Sequence, residues 1–341
     1  MPTLKDVAKA TGFSVTTVSR ALNGYDDVNE ETKEIIEKVA RKLNYSPNII
    51  AQNLVKKKSK TIGIIVNELK RESAKDNLMF EMLCGVSDAL EVLGYEFILI
   101  STSTSKQKNQ TFEQICSQRQ LAGVIIQGLK MNDSYLEEAK VSDIPCVLID
   151  IPVTGKSIKY VTTNQQDSVK DAIKYLYRLN HRYIAYLNGT AGAHVSGVRK
   201  LGYEEALKEL GLDVNPDYII QGDFDEEVAK KNVIPFLINH PEVTAIFCAS
   251  DVMALGALQA VKSLGINVPK QLSIIGFDNI LLTEYVTPKL TTIAQSSYDI
   301  AKMAVQELIE LIENPDTQTT PKIIQNELII KESTAPAPIL V

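Results

Sequence analysis

The chain has 341 residues, of which 45% are hydrophobic and 23% charged, and its formal net charge is −6. This length predicts two or three domains, and the composition is that of a globular protein, not of a disordered or fibrous one. It has no run of about 18 apolar residues, no N-terminal secretion signal and no C-x-x-C pair among its four scattered cysteines. We therefore expect a cytoplasmic protein without membrane spans, disulfide framework or structural zinc site.

The charge is unevenly distributed along the chain. Residues 1–60 hold eleven Lys and Arg against seven Asp and Glu, which gives +4 and leaves −10 for the remainder. A small basic segment on a large acidic body is typical of a polyanion-binding module joined to a domain that does not bind polyanions. On these numbers alone, a chance fluctuation in charge stays an alternative.

Three short helical patterns follow one another in the basic segment. The first ends at Gly12, the second runs from an N-cap at Ser14 to Gly24, and the third runs from about Glu30 to Leu43. Two short helices joined by a tight glycine turn predict a helix-turn-helix, whose second helix enters the major groove of DNA. A small helical bundle with a solvated polar face fits the same spacing.

The second of these helices offers an outward polar face. Val18 and Leu22 are expected to face the core, which leaves outside Val15, Thr16, Thr17, Ser19 and Arg20. An arginine can pair bidentately with guanine, and a threonine offers a hydroxyl and a methyl group. This face is therefore a candidate for base reading or phosphate contact.

The string TLKDVAKATGFSVTTVSRALNG, followed by VNEET and LNYSPN, closely resembles the DNA-binding head of the lactose-repressor/galactose-repressor family. The resemblance implies that Val15 and Thr16 set operator preference and that Arg20 is the family's common arginine. It implies a head over residues 1–46 and a hinge helix and linker over residues 47–60. The residues expected to contact DNA are Lys5, Ser14, Val15, Thr16, Thr17, Ser19, Arg20, Asn23, Asn48, Ala51 and Leu54.

The hinge segment is too short to be a stable helix in isolation. Such a segment can be disordered alone and helical when it docks against a symmetry mate on DNA. The resemblance implies this behaviour, with Leu54 wedged into the minor groove so that the duplex kinks. Alternatively, Leu54 is a linker residue that packs on the body. For the lysines of residues 56–60 we expect either contact with phosphate or a solvated tether.

From Ile62 onwards, apolar runs alternate with amphipathic helices. Predicted strands are 62–66, 97–100, 123–126, 146–149, 183–187, 218–221, 245–248 and 273–277, separated by helices near 78–93, 107–120, 132–140, 166–180, 195–210, 226–239 and 252–264. Two successive βα sets predict two doubly wound subdomains. The expected fold class is an all-α helix-turn-helix head followed by an α/β core over residues 61–341.

The core also resembles that of the same family, which is similar to periplasmic sugar-binding proteins. The resemblance implies three crossovers near residues 162, 291 and 320. They would divide the core into an N-subdomain of about 61–162 and 292–320 and a C-subdomain of about 163–291 and 321–341.

Ligands of such sheets bind beyond the carboxyl ends of the strands, so the cleft between the subdomains is the expected site. Polar residues follow several strands: Asn67, Asp150, Asp223, Asp251 and Asp278. Carboxylates accept hydrogen bonds from sugar hydroxyls, and the Phe224 ring can pack on the apolar face of a sugar. A turn at Asp150, a core position for Phe224 and a helix cap at Asp251 are the structural alternatives.

The resemblance adds Arg199, in VRKLGYEEAL, and implies that Arg199 and Asp278 hold the effector. The expected effector-binding set is Asp150, Arg199, Phe224, Asp251 and Asp278. Gln295 also matches a family motif, and a structural role there is equally expected. The charged loop 67–77 departs from the family pattern and borders the cleft, where it is either a ligand contact or solvated charge.

Enzyme motifs are missing from the sequence. The three histidines lack metal-ligand spacing, and no P-loop or strand-linked G-x-G-x-x-G occurs. The cleft aspartates can in principle supply a glycosidase pair, but nothing in the sequence favours that over binding. We therefore expect no catalytic residues, no metal site and no cofactor.

These observations predict a homodimeric, nucleoid-associated transcription regulator, a repressor. Paired heads would read a pseudo-palindromic operator in double-stranded DNA, and a small-molecule effector, a sugar, would control operator affinity from the cleft. One alternative keeps the DNA-binding role and takes a partner protein, such as a phosphorylated carrier protein, as the signal. A remote alternative is a sugar-binding transport protein, which needs an export signal.

Overall fold

The computed structural model describes residues 2–23, 25, 27–45, 59–67, 69, 77–315 and 320–338. The chain divides into two compact units, Met1–Ser59 and Lys60–Val341. The predicted hinge contacts Asn48, Ala51 and Leu54 lie outside the described residues, as does most of the charged loop.

The first unit contains the helices α1 (Leu4–Thr11), α2 (Val15–Leu22) and α3 (Glu30–Lys42). Each begins after a capping side chain, since Thr3, Ser14 and Asn29 accept a hydrogen bond from a backbone N–H three residues on. The predicted cap at Ser14 is thus confirmed, as is the end of α1 at Gly12, whose φ of 76° suits glycine. Helix α2 is capped by Asn23, and Gly24, where we expected its end, lies outside the described residues.

The second unit contains two six-stranded sheets. The first comprises β1 (Thr61–Asn67), β2 (Glu96–Thr102), β3 (Gly123–Gln127), β4 (Cys146–Ile149), β5 (Ile158–Thr163) and β11 (Lys322–Ile324). The second comprises β6 (Ile184–Asn188), β7 (Ile219–Gln221), β8 (Ala245–Cys248), β9 (Ser273–Asp278), β10 (Thr291–Ala294) and β12 (Glu327–Ile329). Their orders are β11-β5-β4-β3-β1-β2 and β12-β10-β9-β8-β6-β7, and only the β10–β12 pair among these strands is antiparallel.

Nine helices of the described core cover the two sheets. They are α4 (Leu78–Leu93), α5 (Thr104–Gln107), α6 (Phe112–Gln118), α7 (Ser134–Val141), α8 (Gln165–Arg178), α9 (His194–Glu209), α10 (Glu226–Asn239), α11 (Asp251–Ser263) and α12 (Ser297–Glu313). Buried clusters fill the space between helices and strands on both sheets. The predicted fold class is confirmed, and no helix of the described residues is long and apolar enough to cross a membrane.

The eight predicted core strands are all present, and the differences have local causes. β5, β10, β11 and β12 were not predicted, because two of them have three residues and the other two mix threonines with apolar residues. The helix predicted over 107–120 begins only at Phe112 as α6, since Thr111 forms a capping box with Gln114, and the short α5 ends at Gln107. Helix α12 was also missed.

Two of the three expected crossovers lie a few residues later than the sequence indicated. β10 pairs with β9, so residues 292–294 belong to the second sheet and not to the first. β11 pairs with β5, so residues 322–324 belong to the first sheet. The chain therefore leaves the second sheet after Ala294 and returns to it after Ile324.

Close approach of α8 and α9 depends on Gly202. A Cβ at this position would lie 2.5 Å from the Gln166 carbonyl oxygen, whereas a Cβ at Gly197 of the same helix would meet nothing within 4 Å. This contact determines the spacing of the two helices that carry Gln165 and Arg199.

Gly202→Ala is expected to lower the free energy of unfolding by about 1–3 kcal/mol, because α8 and α9 must separate. Gly197→Ala, the matched control, should raise it by roughly 0.5–1 kcal/mol, since alanine restricts the unfolded chain and favours the helix. Urea unfolding of the full chain, followed by circular dichroism, measures both. Equal effects of the two substitutions would contradict this packing.

Candidate functional site

The outward face of α2 is a first candidate site. Val18 and Ala21 are buried, while Val15, Thr16 and Arg20 are exposed. Positions 16 and 20 are four residues apart and therefore lie on one side of the helix. The face agrees with the pattern expected for a groove-reading helix.

Other predicted DNA contacts on this helix also make bonds within the head. The Thr17 backbone N–H donates to Ser14 Oγ at 3.0 Å, and the two hydroxyls are 2.8 Å apart. The Asn23 amide donates to the Ser19 carbonyl at 2.7 Å, which caps the helix. Lys5 is exposed on α1. Ser14 and Asn23 thus stabilise the helix ends, whatever else they contact.

The carboxyl ends of both core sheets line one cavity of about 230 Å³. In each sheet the order of the strands reverses, at β1/β3 and at β6/β8, which is where ligands of doubly wound sheets bind. The cavity lies beyond these ends. Four of the five predicted effector residues line it, together with Gln295: Asp150, Arg199, Phe224 and Asp278.

Arg199 is held in one orientation although it is only 3% exposed. Its Nε donates to Gln165 Oε1 at 2.8 Å, and its Nη1 donates to the Ala249 carbonyl at 2.5 Å. The guanidinium stacks on the Phe277 ring, 3.7 Å from its centroid. The Asp278 carboxylate oxygen Oδ1 lies 3.9 Å from Nη1, which is a charge pair and not a hydrogen bond.

Asp150 lies on the opposite wall, at the end of β4. Its Oδ1 accepts hydrogen bonds from Thr162 Oγ1 at 2.7 Å and Gln165 Nε2 at 2.8 Å. Desolvation raises the pKa of Asp150, although these bonds and the Arg199 charge oppose that shift. Burial lowers the pKa of His194, so this side chain enters the cavity as a neutral imidazole at pH 7.

Two buried amide oxygens of the cavity have no hydrogen-bond partner in the described structure. Gln295 Nε2 donates to Asp278 Oδ1 at 2.6 Å, which orients the amide and leaves its Oε1 unpaired. Gln127 Oε1 is unpaired as well. An unsatisfied buried acceptor costs about 1–3 kcal/mol, and both amides belong to side chains that line the cavity.

Phe224 presents its ring to the cavity because Gly189 has no side chain. A Cβ at Gly189 would lie within 2.6 Å of three Phe224 ring carbons. Asp223 and Phe224 both have positive φ, 54° and 58°, and the Thr190 hydroxyl donates to the Asp223 carbonyl at 2.9 Å. The strained turn thus places an aromatic face on the cavity wall.

Backbone strain is concentrated at the cavity. Nine described residues other than glycine have positive φ. Three of them line the cavity, Asp150, Phe224 and Asp278, and Asp223 and Asn279 are their chain neighbours. Strained backbone persists only where the surrounding structure holds it, and it clusters at binding sites. Sequence patterns gave no sign of these conformations.

The structure does not bring Asp251 to the cavity, which corrects its expected place in the effector-binding set. The side chain is 0% exposed, and its carboxylate accepts from Thr292 Oγ1 at 2.6 Å and from the Ile280 backbone N–H at 2.9 Å. Burial, and then the Asp278 charge, raise the pKa of Asp251 well above its usual range. Asp251 therefore supports the loop that follows β9.

Lys331 holds the same loop from its other side. Its Nζ donates to Asn279 Oδ1 at 2.9 Å and to Thr283 Oγ1 at 2.8 Å, and it pairs with Glu284 at 2.6 Å. The hydrogen bond from Lys331 lowers the pKa of the Glu284 carboxyl. Sequence reasoning missed this lysine, since β12 was not predicted.

The described residues contain histidine contacts but no cluster that could bind a metal ion. His181 is buried and lies within hydrogen-bond distance of Thr244 Oγ1 at 2.9 Å and of the Ala335 carbonyl at 3.0 Å. Within the described ranges, no group of three or more His, Cys, Asp or Glu side chains could hold a metal ion.

Comparisons with known proteins agree with both candidate sites. Residues 3–48 match the family model "Bacterial regulatory proteins, lacI family", and residues 173–334 match "Periplasmic binding protein-like domain". The HTH-type transcriptional repressor CytR of Escherichia coli (strain K12) is 34% identical over 98% of this chain and 97% of the relative. The family resemblance seen in the sequence is thereby confirmed.

Two solved structures share the fold over nearly their whole length. The transcriptional regulator CelR–cellobiose complex has a TM-score of 0.76 at 25% identity, covering 98% of this chain and all of the other. The Lac repressor dimer bound to operator and the anti-inducer ONPF has a TM-score of 0.84 at 24% identity, with 98% and 99% covered. At 24% identity, this second likeness concerns the fold alone.

Lys331→Met is expected to lower the free energy of unfolding by about 2 kcal/mol, because Asn279 and Thr283 lose a charged donor. Amide exchange of residues 278–284 should also accelerate. Lys289→Met is the matched control, since Lys289 pairs with the same Glu284 at 3.3 Å but is half-exposed and should change little. Mass spectrometry measures the amide exchange. An unaltered exchange rate of residues 278–284 in Lys331→Met would show that Lys331 does not hold this loop.

Proposed function

The chain belongs to the LacI family of bacterial regulatory proteins, and we propose that a small uncharged polyhydroxyl effector, a sugar, controls its affinity for operator DNA. The protein is a DNA-binding transcription regulator, as its relatives are. In the proposed mechanism it acts as a cytoplasmic homodimeric repressor, and the cleft of the core is the effector site.

The two unpaired amide oxygens in the cavity carry the proposal for the effector. Gln127 and Gln295 each need a donor, and the Asp150 and Asp278 carboxylates of the same cavity are acceptors. A sugar has several hydroxyl donors on one ring and an apolar face for the Phe224 ring. The solved complex of the transcriptional regulator CelR with cellobiose supports such a ligand in the same fold.

Charge restricts the effector further. Two carboxylates and one guanidinium face the cavity, and neutral His194 does not offset the excess negative charge. A phosphorylated ligand would therefore meet unfavourable charge in a desolvated site. The cavity of about 230 Å³ shares Asp150 and His194 with a neighbouring cavity of about 430 Å³, so the cleft has room for a monosaccharide and for a larger sugar.

Effector binding would act on the relation between the two sheets. Asp150 and Gln127 belong to the first sheet, while Arg199, Phe224 and Asp278 belong to the second, and the crossing segments connect the two. A ligand that bonds to both sets stabilises one spacing of the subdomains over another. This shift is the proposed coupling between the effector and the DNA-bound state.

Exposed apolar side chains support the homodimer. On α4 and β2, Phe80 is 63% exposed, Val92 is 88% exposed and Leu99 is 38% exposed. Apolar patches on a protein surface mark interfaces, and a dimer matches two heads to the half-sites of a palindrome. The two heads of a dimer carry twice the formal charge of +4 that residues 1–60 carry in one chain. The affinity for DNA should therefore fall steeply as the salt concentration rises.

A pool of random duplexes tests DNA reading directly. The full chain should enrich a pseudo-palindrome, and Arg20→Ala should reduce the ratio of operator to random-DNA affinity by about tenfold or more, because a base contact is lost. Lys5→Ala should weaken binding to both DNAs equally, since it removes only a phosphate contact. Failure of the wild type to enrich any sequence would overturn the DNA half of the proposal.

Fluorescence anisotropy on the selected operator tests the effector, with mono- and disaccharides, sugar phosphates and purines as the panel. A mono- or disaccharide should change operator affinity, and Arg199→Lys and Asp278→Asn should abolish this response while effector-free binding persists. Arg182→Lys is the matched control, because Arg182 also stacks on a ring, 3.9 Å from the Tyr177 centroid, outside the cavity.

Three outcomes contradict the effector proposal. They are a normal response in both cavity variants, a stronger response to a sugar phosphate than to its parent sugar, and no response to any member of the panel. The last of these, with operator binding intact, would turn the search to a protein signal such as a phosphorylated carrier protein.

A further inference from the structure

We propose that Asp27 determines base specificity, because its carboxylate orients the Arg20 guanidinium with one donor edge left for DNA. This inference deepens the proposed function, since it rests on Arg20 reading a base. Asp27 itself makes no base contact in this arrangement and is a positioning residue.

The geometry of the pair is bidentate. Arg20 Nε donates to Asp27 Oδ1 at 3.0 Å, and Arg20 Nη2 lies 2.6 Å from Asp27 Oδ2. A guanidinium has five N–H donors in a rigid plane, so it can bind two partners through two edges at once. Asp27 occupies the Nε/Nη2 edge. The Nη1/Nη2 edge makes no hydrogen bond to the described residues and matches O6 and N7 of guanine.

Both residues stand on a backbone that is fixed at several points. Tyr25 N–H donates to the Arg20 carbonyl at 3.1 Å, which brings the Tyr25 ring under the guanidinium, 4.8 Å from Arg20 Cζ. On the other side of Asp27, Val28 is buried in the head core, and Asn29 caps α3 through the Thr32 N–H at 2.8 Å. Described contacts thus fix Tyr25 and Val28, the residues near Asp27 on either side, to the head.

The pair is poorly placed to stabilise the fold or to attract DNA. Its side chains are 44% and 54% exposed, and exposed ion pairs contribute little to stability. A carboxylate beside a DNA-reading arginine also repels phosphate. The pair instead orients the arginine before DNA binds. A long arginine side chain that is free in solution loses much of its rotamer freedom on binding, and the pair reduces this loss.

The experiment measures base preferences at every position of the selected operator, for the full-length wild type, Asp27→Asn, Arg20→Ala and the double variant. Asp27→Asn should reduce the preference at the position read by Arg20 by about fivefold per half-site and leave the other positions unchanged. In the Arg20→Ala background, the same substitution should have no effect on preference. The melting temperature should stay unchanged, which separates orientation from folding.

Glu37→Gln serves as the matched control. Its carboxylate pairs with Arg41 at 3.3 Å on α3, and its loss should change the affinity for all sequences alike. If Asp27→Asn raised the affinity for every DNA sequence by the same factor, Asp27 would act only by repelling phosphate. That result would overturn the inference. The inference would also be overturned if the wild type selected bases and Asp27→Asn kept the same base preferences. A wild type without any preference would overturn the proposed DNA reading itself.

Discussion

A guanidinium that is 3% exposed needs hydrogen-bond acceptors and a counter-charge, and around Arg199 three parts of the core provide them. Gln165 comes from the start of α8, the Ala249 carbonyl from the end of β8, and Asp278 from the end of β9. Gln165 also donates to Asp150, so one amide joins the buried charge of the second sheet to the carboxylate of the first. The close contact of α8 and α9 at Gly202 holds this arrangement in place. The polar lining of the cavity thus follows largely from the burial of one arginine.

The Arg199–Asp278 distance explains why the site is ready for a ligand. At 3.9 Å the charges attract without a hydrogen bond, and Asp278 is held by strained backbone with a φ of 112°. The supports of this loop lie behind the cavity: Asp251 bonds to Thr292 and Ile280, and Lys331 bonds to Asn279 and Thr283. These residues prevent the carboxylate from relaxing onto the guanidinium. If Arg199 and Asp278 hold the effector as proposed, the residues behind the cavity affect the effector affinity indirectly, because they fix the position of the Asp278 carboxylate.

Much of the fold could be predicted from periodicity, but side-chain direction could not. Apolar runs predicted eight of the twelve core strands, and N-cap chemistry predicted the start of α2 after Ser14, because both are local patterns. Asp251 and Asp278 each follow a strand, yet only Asp278 faces the cavity, since its positive φ turns the chain after β9. Lys331 and Asp27 were missed for the same reason. The roles of Lys331 and Asp27 come from contacts between elements, and the sequence around each is that of an ordinary polar surface residue. Gln127 was also missed, but it follows the predicted strand over 123–126, so its position after a buried strand was a signal that could have found it.

Charge is used in opposite ways by the two sites, and this follows from their solvent exposure. In the head, Arg20 and Asp27 are half-exposed, so water and salt screen their attraction and the useful property of the pair is its geometry. In the cleft, Arg199 and Asp278 are almost fully buried, so each charge must be matched locally and salt has little access. If the effector binds here as proposed, we expect ionic strength to change the affinity for DNA much more than the affinity for the effector. A regulator built this way can respond to its effector independently of the ionic conditions that set its affinity for DNA.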